Sequence, residues 1–228
     1  MKNLILVAFV FLAQLLSAQN VYLTKVAKTN ENTDKFLYKI DEEIKDAEYL
    51  GEIEVQGFWK YDDEVFSLIY KKAKEIGANT FSLKPFENID GFPQSFNPSN
   101  YRFNLYYLPK AKLQDQSGNM YIFASSEKDQ KINLNKKDYV LSPRSYMVVK
   151  TIPGEVYTLS TKKLLGSTIK IQPKENNYNQ YFQISSAKIK ADETGVGGLN
   201  LKSGDIIGLE KSYAEFLSTI YNRQKQSN

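Results

Sequence analysis

The chain has 228 residues and contains neither histidine nor cysteine, so carboxylates, hydroxyls and lysines are the side chains left to do chemistry. Two acidic runs, Asp41-Glu42-Glu43 and Asp62-Asp63-Glu64, could supply the paired carboxylates of a glycoside hydrolase. Both runs come at predicted helix starts, where the helix dipole favours negative side chains. The dipole alone therefore explains both runs without catalysis.

Other catalytic patterns are weaker still. Ser160-Thr161-Lys162 and Lys202-Ser203 could form a Ser–Lys dyad, but we interpret them as surface pairs. The glycine-rich run Thr194–Leu199 lacks the Gly-Lys-Ser/Thr ending of a phosphate loop and predicts a flexible turn. The sequence also lacks a spaced acidic calcium loop and the glycine pattern of dinucleotide-binding proteins. We therefore predict a non-enzyme, with no catalytic, cofactor-binding or metal-binding residues.

Charge argues against a nucleic-acid partner. The chain carries 30 basic and 26 acidic side chains, a formal net charge of +4. Of the basic residues only Arg102, Arg144 and Arg223 are arginine, the residue best suited to bidentate contacts with bases and phosphates. The abundant lysines are typical of a solvated surface.

The first 18 residues, Met1–Ala18, are typical of a signal peptide. Lys2 supplies a positive start, Leu4–Leu16 is apolar except for Gln14, and Ser17-Ala18 are small residues before a cleavage point. The alternative is a membrane anchor, but the apolar run is shorter than the ~20 residues that span a bilayer. No later stretch approaches that length. We expect a mature protein that starts at Gln19 and is exported, either periplasmic or extracellular.

The clearest predicted helix covers Asp62–Ile76. Asp62 is suited to cap the first amides, and Gly77 is suited to the left-handed position that ends a helix. The apolar residues between them recur every three or four positions, which predicts one buried stripe. These residues are Val65, Phe66, Ile69, Ala73 and Ile76.

Strands are predicted on both sides of this helix from alternating apolar residues. Their ranges are Val21–Ala27, Lys35–Ile40, Gly51–Trp59, Thr80–Leu83 and Tyr101–Leu108. Residues 19–110 should therefore form a small α+β domain, with one main helix across a mostly antiparallel sheet.

Two short segments of this half carry a resemblance. Leu50-Gly51-Glu52-Ile53 comes before the helix, and the helix ends in Ala73-Lys74-Glu75-Ile76-Gly77-Ala78-Asn79-Thr80. This arrangement resembles the heavy-metal-binding-like family and the outer-membrane stress-sensor lipoproteins, over about 60 residues of sequence pattern. The resemblance implies close packing of helix on sheet and indicates no ligand. The cysteines of the sensor proteins are missing, which argues against a metal or disulfide role.

A loop of unusual length, Pro85–Asn100, connects two predicted strands. It contains three prolines and three phenylalanines, Phe86, Phe92 and Phe96. The phenylalanines could fold back as a local core, or they could be exposed on a stiffened loop that contacts a partner. We name Phe86, Phe92 and Phe96 as candidate partner-contact residues.

The second half begins after a predicted linker, residues 111–118, and is rich in short strands. The predicted strands are Met120–Ser125, Lys131–Leu134, Tyr139–Leu141, Ser145–Thr151, Glu155–Ser160, Thr168–Gln172 and Gln180–Ser185. Their regular spacing predicts a β-sandwich over residues 119–228. The amphipathic tail Ser212–Asn222 predicts a short C-terminal helix.

The strand order MYIF, INLN, YVLSPRSYMVVKTIPGEVYTLS, IKIQP, YFQI carries a second resemblance. It is similar to a domain of unknown function that is common in bacterial lipoproteins, over about 70 residues of pattern. The resemblance implies an immunoglobulin-like sandwich and brings no catalytic residue.

These observations predict an exported, non-catalytic envelope protein, a binding or structural module. Its partner would be an envelope protein or a small ligand, with no cofactor and no nucleic acid. One alternative is a carrier of a small molecule or lipid, with a pocket between helix and sheet or between the two domains. Another is a secreted hydrolase that uses paired carboxylates.

Overall fold

The computed structural model describes residues 21–40, 44, 46–57, 61–113, 118–163, 166–175, 178–185, 202–203 and 205–225. Four sequence predictions lie outside this part of the chain. They concern the leader Met1–Ala18, the acidic run Asp41-Glu42-Glu43, Trp59 and the glycine-rich run Thr194–Leu199.

The first half forms a five-stranded sheet with one helix against it. Its strands lie in the order β1-β3-β5-β4-β2, and only the β2–β4 pair is parallel. The sheet is thus mostly antiparallel, as predicted. Its elements are β1 (Val21–Val26), β2 (Tyr38–Lys39), β3 (Glu48–Gln56), α1 (Asp62–Glu75), β4 (Thr80–Lys84) and β5 (Asn100–Tyr107).

Helix α1 buries the predicted stripe: Val65, Phe66, Ile69 and Ala73 all lie in the core. Gly77 follows the helix with φ +78°, which confirms its predicted left-handed conformation. A Cβ atom at Gly77 would lie 1.8 Å from the carbonyl oxygen of Asn30, so this position also requires a residue without a side chain.

The predicted capping role of Asp62 is wrong. Tyr61 is the N-cap residue of α1 and makes no side-chain cap hydrogen bond. Asp62 is the first helical residue, and its carboxylate accepts hydrogen bonds from Arg144 and Tyr221 in the second half of the chain. The carboxylate that was predicted to cap its own helix is therefore hydrogen-bonded to two donors from distant segments.

The second half contains two sheets. One has four strands in the order β11-β10-β7-β8, and the other has six in the order β13-β14-β12-β6-β9-β15. All seven predicted strands are present, while β13, β14 and β15 were not predicted. The elements are β6 (Asn119–Phe123), β7 (Gln130–Leu134), β8 (Lys137–Leu141), β9 (Ser145–Lys150), β10 (Tyr157–Thr161), β11 (Thr168–Ile171), β12 (Gln180–Ile184), β13 (Lys202–Ser203), β14 (Ile206–Gly208), α2 (Lys211–Ile220) and β15 (Asn222–Arg223).

Apolar residues of these two sheets share one buried cluster. Met120 and Ile122 of β6 and Ile184 of β12 come from the six-stranded sheet, and Ile132 and Leu159 come from the four-stranded sheet. The prediction of a β-rich fold is confirmed, and its immunoglobulin-like form stays a prediction. At the predicted linker, Lys110–Lys112 form a single 3-10 turn.

Residues of the six-stranded sheet also pack in the core of the first half. Along β6, Met120 and Ile122 belong to the cluster shared with the four-stranded sheet, whereas Phe123 belongs to the core of the first half. Strand side chains alternate between the two faces, so both faces of this sheet are covered. Helix α2 contributes Phe216, Leu217 and Ile220 to the core of the first half. The two halves therefore share a continuous apolar interior.

None of the helices in the described ranges is long and apolar enough to cross a bilayer.

Candidate functional site

The hairpin loop, residues 85–100, connects β4 to β5 and has a tip that is closed by hydrogen bonds. The amide of Asn88 donates to the carbonyl of Phe92 at 2.9 Å, and the amide of Gly91 donates to the carbonyl of Asn88 at 3.0 Å. Oδ1 of Asn88 accepts from the amides of Asp90 and Phe92, at 3.0 and 2.9 Å. The tip is therefore a defined turn built around one asparagine.

Aromatic contacts fix the base of the hairpin loop to the sheet. The guanidinium of Arg102 lies 4.0 Å from the ring centroid of Phe86, and its Nη2 atom donates to the carbonyl of Pro85 at 2.9 Å. The ring of Phe96 packs on Tyr101 of β5, with centroids 5.4 Å apart. Tyr101 and Arg102 are neighbours on β5, so their side chains lie on opposite faces of the sheet, and the two contacts attach the base of the loop on both faces.

The three candidate phenylalanines occupy different positions. Phe86 is half-buried and Phe96 is partly covered, whereas Phe92 is 67% exposed. Phe86 and Phe96 therefore pack locally against β5, whereas the side chain of Phe92 is exposed to solvent. Sequence reasoning missed Ile89, which is fully exposed at the tip beside Phe92. The signal was present, because an isolated apolar residue stands inside the turn Asn88-Ile89-Asp90-Gly91.

A second polar site lies at the junction of three segments. Nη2 of Arg144 donates to Oδ1 of the buried Asp62 at 2.7 Å, and the hydroxyl of Tyr221 donates to Oδ2 at 2.7 Å. Arg144 has φ +51° in the turn between β8 and β9, and Tyr221 directly follows α2. The three residues join the start of α1 to the turn between β8 and β9 and to the C-terminal segment.

Burial controls the electrostatics of this junction. Removal from water raises the pKa of Asp62, and the opposing effects of Arg144 and the Tyr221 hydroxyl do not fully offset it. Burial, and then the neighbouring Asp62 carboxylate, raise the pKa of Tyr221 well above its ordinary value. Both oxygens of Asp62 accept bonds from protein donors. This arrangement is suited to holding segments together, because both carboxylate oxygens are hydrogen-bonded to donors from other parts of the chain.

In the run Ser160-Thr161-Lys162, the lysine side chain is paired with a carboxylate. Lys162 forms an ion pair with Asp138. Thr161 Oγ1 donates to Asp205 Oδ2 at 2.6 Å, and Lys163 Nζ lies 3.0 Å from the same oxygen. Burial alone would raise the pKa of Asp205. Hydrogen bonds with Thr161, Ser167 and Lys163 instead hold this pKa well below its usual range. This carboxylate joins the turn after β10 to the start of β14. The side chains of Lys202-Ser203 lie outside the described part of the chain.

Potential metal and ligand sites are limited in the described residues. Within them, no three acidic side chains come together in a way that could hold a metal ion. An apolar gap lies between α1, α2 and the five-stranded sheet, but it is too small to hold a water molecule. This gap therefore cannot be the helix–sheet pocket that a carrier would need. Its lining residues are Leu37, Phe66, Ile69, Phe81 and Phe216.

Comparison with known proteins finds no matching family model, no matching curated protein and no matching solved structure. The resemblances of the two halves to envelope-protein families therefore stay predictions.

Proposed function

We propose that this chain is an exported, non-catalytic envelope protein that binds a partner through the tip of the hairpin loop. The observation that carries the proposal is the exposure of Phe92 and Ile89 on a turn that hydrogen bonds hold in shape. Export is inferred from the leader-like sequence Met1–Ala18.

The physical argument is one of preorganisation. A loop that is already ordered loses little conformational entropy when it binds, so more of its contact energy is available for affinity. Large apolar side chains that become desolvated at the centre of an interface contribute a disproportionate share of that energy. Phe92 and Ile89 together meet both conditions, since their backbone is fixed and their side chains face water.

The alternatives lack comparable support in the described residues. A hydrolase of the predicted type would use Asp62. The two oxygens of that carboxylate instead accept hydrogen bonds from Arg144 and Tyr221. A carrier would need a pocket between helix and sheet or between the two halves, and the gap at the first of these places is too small for one.

Photo-cross-linking in the cell that makes the protein tests the proposal. A benzophenone amino acid would replace Phe92 in one variant and Val140 in another, because Val140 is an apolar residue of β8 with 55% exposure. We expect an adduct of defined mass from position 92 and none from position 140. Equal labelling at both positions, or none at either, would contradict the proposal.

A further inference from the structure

The tip of the hairpin loop is acidic as well as apolar. Glu87 precedes Ile89, and Asp90 lies between Ile89 and Phe92. Both carboxylates are exposed, and neither forms an ion pair within the described part of the chain. Residues 85–101 contain no lysine or arginine. The loop therefore carries two negative charges that no residue of its own balances.

The basic residues at the two ends of the loop are held by other contacts. Lys84 lies 2.7 Å from Glu52 of the sheet, and Arg102 is stacked over Phe86. The whole chain has a formal net charge of +4, so the hairpin loop is an acidic projection from a basic protein. Such a local charge of opposite sign steers encounters towards a surface of complementary sign.

Resting on the proposed function, we propose that the tip binds a pocket of another protein that is apolar at its centre and lined at its rim by lysine or arginine. Phe92 and Ile89 fill the apolar part, and Glu87 and Asp90 face the basic rim. The arrangement matches the usual anatomy of an interface, with a desolvated centre and a charged, solvated edge.

Charge favours a protein pocket over a lipid surface. An anionic lipid surface attracts basic segments, whereas this tip presents only acidic ones. Two apolar side chains flanked by carboxylates also make a poor membrane anchor, because each carboxylate must stay hydrated while its neighbours insert. A bilayer is therefore a contrary outcome of the test below.

The test places the benzophenone amino acid at Ile89 and identifies the cross-linked peptide by mass spectrometry. It compares two double variants, Glu87→Gln/Asp90→Asn and the control Glu31→Gln/Asp129→Asn, which changes the same two charge types at exposed positions elsewhere. Thermal melting of the purified variants establishes that both pairs of substitutions leave the fold intact.

We expect the cross-linked peptide to contain apolar residues beside lysine or arginine. The Glu87→Gln/Asp90→Asn variant should reduce the adduct yield by about three-fold, since exposed ion pairs each contribute little, while the control leaves it unchanged. Raising the salt from about 50 mM to about 500 mM should lower the yield of the unmodified loop to a similar extent and barely affect the charge-neutral loop.

Different failures have different meanings. Labelling at Ile89 no stronger than at Val140 would overturn the proposed function itself. Strong labelling that is insensitive to salt and to Glu87→Gln/Asp90→Asn, or a cross-linked peptide without basic residues, would overturn only the basic-rimmed pocket. A cross-link to lipid or to a second copy of this chain would likewise overturn it.

Discussion

The hydroxyl of Tyr221 donates a hydrogen bond to the carboxylate of Asp62, which lies 159 residues earlier in the sequence. Replacing Tyr221 with Phe should lower the free energy of unfolding by about 2 kcal/mol, because the buried Oδ2 atom of Asp62 loses its donor. The ring keeps its edge contact with Phe123, whose centroid lies 6.3 Å away. Denaturant unfolding monitored by circular dichroism measures the change.

Tyr178→Phe is the matched control for this prediction. The same hydroxyl is removed from a side chain that is 63% exposed, so the free energy of unfolding should change by less than about 0.5 kcal/mol. Equal losses in the two variants would show that the buried hydrogen bond to Asp62 contributes nothing specific.

Glu215 makes stability depend on pH. Burial raises its pKa to about 7, with Glu210 adding to the effect, while the Lys39 amide at 2.7 Å and the Lys211 side chain oppose it. Tyr121 and Tyr181 also face this carboxyl group. Because the folded pKa exceeds the ordinary value of 4.5, the folded chain holds the proton more tightly than the unfolded chain does. The contribution of protonated Glu215 to the free energy of unfolding is fully present below about pH 4.5 and is lost as the pH rises through about 7.

The variant Glu215→Gln should remove this dependence. We expect the free energy of unfolding of the unmodified protein to fall by about 1–3 kcal/mol more than that of the variant between about pH 4.5 and about pH 8. Glu31→Gln, at an exposed position, should retain the full slope. Parallel slopes for the protein and for Glu215→Gln would contradict the assignment.

At the scale of the elements, the turn after α1 depends on the missing side chain of Gly77. Gly77→Ala should lower the free energy of unfolding by more than about 2 kcal/mol, because the new methyl group meets the carbonyl of Asn30 and the backbone has a positive φ. Gly154 has a similar φ of +84° but open space around it, so Gly154→Ala should cost only about 1 kcal/mol. Chemical denaturation of both variants measures the two losses in free energy of unfolding. Equal losses would show that the positive φ accounts for the whole cost and that the contact with Asn30 adds nothing.

Most elements could be predicted from the sequence because their signals are local. The stripe of α1 repeats every three or four residues, Gly77 ends the helix, and the strands alternate between apolar and polar residues. Each of these signals lies within the element that it predicts or a few residues from its end. The strands β13 and β15 have two residues each, too few to show a period, and they were missed.

The candidate contact site was only partly predictable. The length and composition of the hairpin loop indicated an unusual segment, but three phenylalanines look alike in a sequence. Their different exposure depends on where Arg102 and Tyr101 stand on the neighbouring strand. The role of Asp62 was mispredicted for a related reason: a helix cap is a local signal, whereas its partners Arg144 and Tyr221 are remote.

At the scale of the whole molecule, the continuous interior couples the two halves. Phe216 of α2 is buried against Phe66 of α1 and Phe103 of β5, with centroids 5.4 and 6.2 Å away. Phe216→Ala should therefore lower the free energy of unfolding by about 4 kcal/mol. Hydrogen exchange should show α1 and β5 weakened together with α2, in one cooperative transition. Two separate transitions, with only the second half affected, would contradict this coupling.

The position of α2 also bears on the order in which the protein can be made. A ribosome delivers the chain from its first residue to its last, and first halves often fold while the rest is still being synthesised. Here the apolar interior of the first half is closed by residues of α2, among them Phe216 and Leu217, which come long after β5 in the sequence. The core of the first half is therefore incomplete until α2 has been synthesised, and a chain that lacked α2 would leave apolar residues of the first half uncovered.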